Sequence, residues 1–174
     1  MAARNLTIPY TRVFGSQSNA ILGVAIPALA VSPTLLGGFY SAPVQVPDDY
    51  KPSEASDLVL LISPAANSAA PGTTARIVTV LTTIDQTGIR TDTSFGQDVA
   101  IPNPWNTTDR LLVTLDNGTG HTFSPGSIDL AWTIAARVAR DGPAGSDTFA
   151  QSLNLMQSLL WSYRQRCVWC CGPC

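Results

Sequence analysis

Ile128-Asp129-Leu130-Ala131-Trp132-Thr133-Ile134-Ala135-Ala136-Arg137-Val138 is the stretch whose reading decides the fold. Ile128, Leu130, Trp132, Ile134, Ala136 and Val138 occupy one parity; Asp129, Ala131, Thr133, Ala135 and Arg137 occupy the other. Successive side chains of a strand point to opposite faces, so this alternation marks a half-buried strand and not a helix. The face opposite the core is unusual in being small. Ala131, Thr133 and Ala135 suit close packing against another subunit, or they simply face solvent.

Further strands read outward from this one. Asp57-Leu58-Val59-Leu60-Leu61-Ile62 is a short apolar run stopped by Ser63-Pro64. Residues 75–84 are rich in β-branched side chains, and residues 109–116 form a run bounded by Asn-rich turns. The last element, residues 153–163, places Leu153, Leu155, Leu159, Trp161 and Tyr163 on one face; Gln157 interrupts it and leaves a helix open as an alternative. Between these runs lie Gly, Pro, Asn and Asp clusters, with no amphipathic helix. That order indicates an all-β antiparallel sandwich. The core is expected within residues 57–165, preceded by an extended arm over residues 1–56 and followed by a cysteine-rich tail over residues 166–174.

Composition narrows the function. The 174 residues are 45% hydrophobic but only 13% charged, with one lysine, Lys51, and a formal net charge of −2. Neutralising phosphates needs a dense basic patch, so nucleic acid is not an expected partner. A chain with so little surface charge is expected to cover part of its surface with partners. The arm contains prolines at 9, 27, 33, 43, 47 and 52. Its run from Ala20 to Val31, preceded by Arg4 and Arg12 and containing Ala28-Leu29-Ala30, imitates a secretion signal. The long polar lead and Pro27 speak against that reading. Pro27, Pro33 and Gly37-Gly38 also leave too short an apolar run for a membrane span, so no membrane partner is expected. Residues 6–14 are the best strand candidate in the arm, which must lie on something apolar.

Little points to catalysis. His121 is the only histidine. A Ser-His-Asp triad would have to use it, yet it sits in a turn, Asn117-Gly118-Thr119-Gly120-His121, where a hydrogen-bonded loop residue is expected. No phosphate loop, nucleophile elbow or dinucleotide fingerprint occurs, and no enzymatic activity, cofactor or metal is expected. Asp85, Asp92, Asp98 and Asp109 lie in separate loops without EF-hand spacing. The glycosylation-type triplets at Asn5, Asn106 and Asn117 read as turn residues. All four cysteines, Cys167, Cys170, Cys171 and Cys174, fall in the tail. Their spacing is open to metal binding, to stapling of neighbouring chain ends by inter-chain disulfides, or to a plain reduced tail. The tetrapeptide Cys171-Gly172-Pro173-Cys174 is similar to a thioredoxin site. It lacks the preceding βαβ unit and the following helix that such a site needs.

The order of these signals resembles a known family. The strands at 57–62, 76–80 and 110–115, the Thr/Asp-rich loop 89–97, the Pro125-Gly126 turn, Arg137-Val138-Ala139-Arg140-Asp141-Gly142 and Ser146-Asp147-Thr148-Phe149-Ala150 are similar to the single jelly-roll domains of tailed-phage and prophage virion proteins. These are small trimeric capsid-decoration, head-spike or fibre-base modules. The resemblance implies a jelly roll, a homotrimer with Ala131, Thr133 and Ala135 at its interface, and a decoration role on the capsid surface after assembly in a bacterial cytoplasm. It implies a major capsid or other virion protein as partner; the arm lies outside the resemblance, and its apolar residues Leu6, Ile8, Val13, Phe14, Ile21, Leu22, Leu35 and Leu36 are expected to bind that partner. The alternative is a receptor- or carbohydrate-binding fibre module, for which Trp105 and Tyr50 are the candidate loop aromatics; a thiol oxidoreductase using Cys171 and Cys174 stands third.

Overall fold

The structure, a computed structural model, describes residues 3–15, 17–22 and 26–166. These form β1 (Ala3–Gly15), β2 (Gln17–Leu22), β3 (Ile26–Val31), β4 (Leu36–Ser41), β5 (Val44–Gln45), β6 (Asp57–Pro64), β7 (Thr74–Ile84), β8 (Arg90–Ala100), β9 (Leu111–Thr114), β10 (Thr133–Asp141) and β11 (Leu153–Arg164), with no helix among the described residues. Every strand pairing is antiparallel. Sheet A is built around β11, which pairs β1 and β3 along one edge and β6 along the other; β2 extends β3 and β9 extends β6. Sheet B is built around β10, which pairs β4 and β5 on one side and β7 on the other; β1 extends β4 and β8 extends β7. The all-β antiparallel sandwich expected from the sequence is the fold that forms. From β5 onward the chain crosses repeatedly between sheets, with only the β7–β8 hairpin kept within one.

The two open sides of the sandwich are closed differently. On one side β1 belongs to both sheets: Ala3 to Pro9 pair with β11, and Tyr10 to Gly15 pair with β4. A register shift between Tyr10 and Arg12 marks the bend, as bulges do where a strand changes sheet. On the other side the edge strands β8 and β9 are bridged by one amide. Gln97 Nε2 donates to the Thr114 carbonyl at 2.8 Å, and its Oε1 accepts the Asp116 N–H at 2.7 Å. A glutamine here supplies a donor and an acceptor to backbone groups that no neighbouring strand satisfies.

Four expectations are corrected by this arrangement. The segment expected as an arm over residues 1–56 supplies β1, β2, β3, β4 and β5 to the two sheets. Ile8 is in the core, and Leu6 and Val13 pack against it; Pro33, Pro43, Pro47 and Pro52 fall between strands, and Pro9 stands where β1 leaves β11. The expected loop 89–97 is part of β8, paired residue for residue with β7 from Arg90 to Ala100. Its threonines favour a strand, but its outer half is too exposed to carry an apolar alternation. The strand read from Ile128 begins only at Thr133. The Asp129 carboxylate accepts the Leu130 N–H at 2.7 Å, and Ala131 adopts φ 62°, so the chain turns there. The expected strand at 109–116 shortens to β9. By contrast, residues 153–163 are a strand, and Gln157 lies within a bulge. The ladder passes from Leu155–Ile62 to Leu159–Leu60, four steps along β11 against two along β6, which restores the same parity beyond it.

The core shows why the parity matters. Trp161 sits among Tyr50, Phe123 and Tyr163, with ring centroids 5.6, 6.1 and 5.1 Å away, and its indole N–H reaches the Ser56 hydroxyl at 3.2 Å. Burying each such ring stabilises the fold by roughly 1.5–3 kcal/mol. Near it, Asp49 accepts from Gln165 Nε2 at 2.5 Å and from the Tyr163 hydroxyl at 3.0 Å, with Arg4 3.6 Å away. These partners, the Gln165 hydrogen bond foremost, hold the Asp49 carboxyl below its ordinary range. At the opposite end of the strands, Arg140 continues the inward parity of Ile134, Ala136 and Val138. Its side chain and that of Asp147 are both 0% exposed. Arg140 Nε and Nη2 donate to the two Asp147 oxygens at 2.8 and 2.6 Å. Nη1 and Nη2 also donate to the carbonyls of Gln151, at 2.5 Å, and Phe149, respectively. Asp147 also accepts the Arg76 N–H at 3.0 Å, tying the 142–150 loop to β7.

Three outcomes follow from this packing. Deleting residues 1–15 removes the strand shared by both sheets, so the truncated chain should show no cooperative thermal transition by circular dichroism. Asp147→Asn leaves the Arg140 charge buried without its counter-ion and should cost about 3–5 kcal/mol in denaturant unfolding. Asp49 has a folded pKa below its unfolded value, so its stabilisation is present above the unfolded pKa and is lost as pH falls through the folded one. The melting temperature of the parent should therefore drop more steeply below the ordinary carboxylate range than that of Asp49→Asn.

Candidate interaction surface

The outer face of sheet B carries a group of exposed apolar side chains among paired charges. Tyr40 on β4 lies opposite Arg12 on β1 and Arg137 on β10, and Arg137 lies opposite Val80 on β7. One row along, Gly38 lies between Phe14 and Ala139, and Ala139 is opposite Val78. Phe14 and Tyr40 pack with their rings tilted by 56° and centroids 5.1 Å apart, and the Arg137 guanidinium lies 5.5 Å from the Phe14 ring centre. A Cβ at Gly38 would come within 2.0 Å of the Val138 carbonyl oxygen and 2.6 Å of Ala139 Cα. Glycine is what lets β4 and β10 approach so closely, and it leaves the face flat. Leu36 and Tyr40 remain 41% and 38% exposed on this face, beside Leu35 at 49% in the preceding turn.

A shallow cleft of about 360 Å³ runs across the same face, lined by Tyr40, Val80, Thr82, Ala135 and Arg137 and closed by Arg90 and Asp92. Arg90 donates to both Asp92 oxygens, at 3.0 and 2.7 Å, and the Thr82 hydroxyl donates at 2.6 Å. The Arg90 hydrogen bonds, then that of Thr82, hold the Asp92 carboxyl below its ordinary range, and Asp92 raises Arg90. At the far edge the Ser146 hydroxyl and Arg76 do the same for Asp98. The two pairs bordering the face are thus neutralised internally, whereas Arg12 and Arg137 on the same face have no carboxylate partner among the described residues. The paired border lowers the desolvation cost of covering the apolar centre.

Of the small residues expected at an interface, Thr133 and Ala135 lie on the outward parity of β10, whereas Ala131 lies in the turn before the strand and is exposed. The expected attachment residues divide. Ile8 is buried, Leu6 and Val13 pack on the core, Phe14 joins the outer face, and Leu35 and Leu36 are exposed. The side chains of Ile21 and Leu22 and the cysteines at 167, 170, 171 and 174 lie outside the described residues. Tyr50 and Trp105, the candidate loop aromatics, are 0% and 1% exposed. Trp105 bridges to Ser68 through the backbone and packs on Phe149, so neither ring is presented to a ligand.

His121 is a hydrogen-bonded loop residue, its Nδ1 3.0 Å from Asp57 Oδ1. That is the orienting half of a triad, and Ser162, opposite Asp57 in the β6–β11 register, lines the same shallow cleft. The Ser162 hydroxyl, however, makes no hydrogen bond to His121, so the described geometry supplies no activated nucleophile. The four aspartates expected in loops are apart and separately engaged, and two of them, Asp92 and Asp98, lie in β8. Asp85 caps its own turn, Asp109 accepts from Asn106, and Asp92 and Asp98 are paired as above. The buried Arg140–Asp147 pair was not foreseen; the signal available was Arg140 on the apolar parity of its strand.

Comparison with known proteins finds no matching family model and no matching curated protein. Solved structures with a similar course of chain include the enzymatically active domain of tailspike protein 4 of bacteriophage CBA120, at 11% identity and TM-score 0.40, covering 94% of this chain and 19% of that one. A structure of infectious bursal disease virus, Gt strain, matches at 13% identity and TM-score 0.40, over 93% of this chain and 32% of that one. Carbohydrate-binding modules of the β-sandwich superfamily match at 11% identity and TM-score 0.42, over 90% and 55%. This chain therefore spans well under two thirds of each of them. At these values the likeness assigns it neither a family nor an activity.

Proposed function

We propose that this chain is a non-enzymatic structural protein of a tailed-phage particle, a homotrimer that decorates the capsid and ties neighbouring capsomers together. The observation that carries the assembly is the outer face of sheet B. It is flattened by Gly38 and Ala139, carries the packed rings of Phe14 and Tyr40, and is bordered by self-neutralised charge pairs. Such a face is costly to leave in water and easy to cover with a second copy, at roughly 25 cal/mol per Å² of apolar surface. The virion assignment rests on the resemblance of the 137–142 and 146–150 segments to phage jelly-roll proteins. Because residues 3–15 are committed to the sandwich, attachment to a capsid falls to exposed surface, and the Leu35–Leu36 turn is the apolar candidate. Three copies on one particle would gain avidity from their linkage.

Light scattering on the purified chain should return about three chain masses. Ala135→Arg, at a half-buried outward position, should give a folded monomer that still melts cooperatively, at a temperature lowered by the lost association. A parent that stays monomeric at micromolar concentration, or a trimer unaffected by Ala135→Arg, would remove the face from the reading. Antibody labelling of particles that carry the chain should mark the head; label on tail fibres alone would move the protein to the fibre.

A further inference from the structure

A second cleft, independent of the outer face of sheet B, opens between the sheets at the end of the β7–β8 hairpin. Its volume is about 200 Å³. It exists because β8 is much longer than β9: β9 spans only Leu111 to Thr114, so the inward side chains of the first half of β8 have no strand of sheet A above them. One wall is a set of cross-strand neighbours, Leu81 opposite Thr93 and Thr83 opposite Thr91, with Phe95 beyond them. The facing wall is the loop from Asn117 to Trp132, contributing Asn117, Ser127 and Trp132.

The chemistry of this lining is specific. No ionisable side chain lines the cleft, so it offers nothing to a charged group. Half-buried Trp132 and Phe95 supply ring surface. The hydroxyls of Thr83, Thr91, Thr93 and Ser127 make no hydrogen bond to the described protein, unlike Thr82 on the reverse side, which is bonded to Asp92. Trp132 is also held in place in advance. The residue before it, Ala131, is the one non-glycine residue with positive φ among those described. Its turn is pinned by Gln86 Nε2 on the Leu130 carbonyl at 2.8 Å and by the Asp129 carboxylate. A non-glycine residue kept in the left-handed region persists only where its surroundings over-determine it, and such residues gather at ligand sites. The Asn117 side chain, by contrast, is engaged within its own loop, its Oδ1 accepting from the Thr119 N–H and hydroxyl and its Nδ2 donating to the Thr122 carbonyl. Ring surface flanked by uncommitted hydroxyls, without charge, matches the two sides of a pyranose, apolar C–H face and hydroxyl rim.

We infer that the Trp132–Phe95 cleft binds one ring of a neutral glycan, with Thr91, Thr93 and Ser127 meeting its hydroxyls. The site stands apart from the assembly reading: the saccharide titration and the light-scattering measurement fail separately. The test is an NMR titration of the isotope-labelled full chain with maltotetraose, cellotetraose and tetra-N-acetylchitotetraose, and with sialyllactose as an anionic comparison. At least one neutral tetrasaccharide should shift the amides of residues 91–95 and 127–132 saturably, and sialyllactose should bind it more weakly. Thr91→Val combined with Thr93→Val, at exposed positions, should leave the melting temperature unchanged and weaken that binding about tenfold. Absence of shifts with all three neutral sugars at about 10 mM, a site where sialyllactose binds best, or unchanged affinity in the double variant would overturn the inference.

Discussion

A buried arginine needs an answer for each of its donors, and Arg140 fixes the architecture by the way it finds them. Its carboxylate partner comes from the loop after its own strand, and its carbonyl partners come from the residues that lead into β11. Asp147 in turn holds β7 through the Arg76 backbone N–H. One ion pair therefore joins the central strand of sheet B, that strand's neighbour, and the entry to the central strand of sheet A. Replacing the pair by apolar residues would not by itself weaken the core, since buried pairs are often no better than hydrophobic packing. What the pair provides is a fixed course for the 142–150 loop. Gly142 fits the same requirement: a Cβ there would lie 2.5 Å from the Pro33 carbonyl group, so the loop passes directly against the turn before β4.

The two lateral seams show how differently a sandwich can be closed. At β1 the closure is covalent, because one strand serves both sheets. At Gln97 it is a pair of hydrogen bonds from a single side chain. The covalent seam runs the length of β1, each half of which is paired along one edge. The amide seam is local, and beyond it β8 runs on past the end of β9. The projecting hairpin and its cleft follow from that mismatch in strand length.

The fold class was legible because period-two patterns are local and strong: β6, β7, β10 and β11 all carry apolar residues on alternate positions, and their inward faces are the observed core. What the sequence hid was non-local. Nothing in residues 3–15 announces a strand shared by two sheets, since that role depends on where β11 and β4 lie. Thr91, Asp92 and Thr93 read as loop because β8 is an exposed edge, where pairing with β7 replaces burial as the reason for extension. Ala131 read as strand because alternation was continued through a turn that Asp129 stabilises. Trp105 and Tyr50 read as loop aromatics, which they are in chain position, but both loops fold back on the core. Of the proposed surface, the small outward residues of β10 were visible in advance; the packed rings of Phe14 and Tyr40 across two strands were not, because adjacency across a ladder is set by register.

The pairing of Ala3 with Arg164 has a mechanical consequence. The first and last strands of the described chain are antiparallel neighbours whose outer ends meet at one pole. Tension applied between those two ends pulls along the line that separates the strands, so the ladder opens one hydrogen-bonded pair at a time instead of resisting in shear across all of them together. The Arg140–Asp147 junction lies at the other end of β11 and is the last thing such a pull would reach. Load carried through the two ends would thus peel the molecule readily, whereas load carried across the broad faces of its sheets would not.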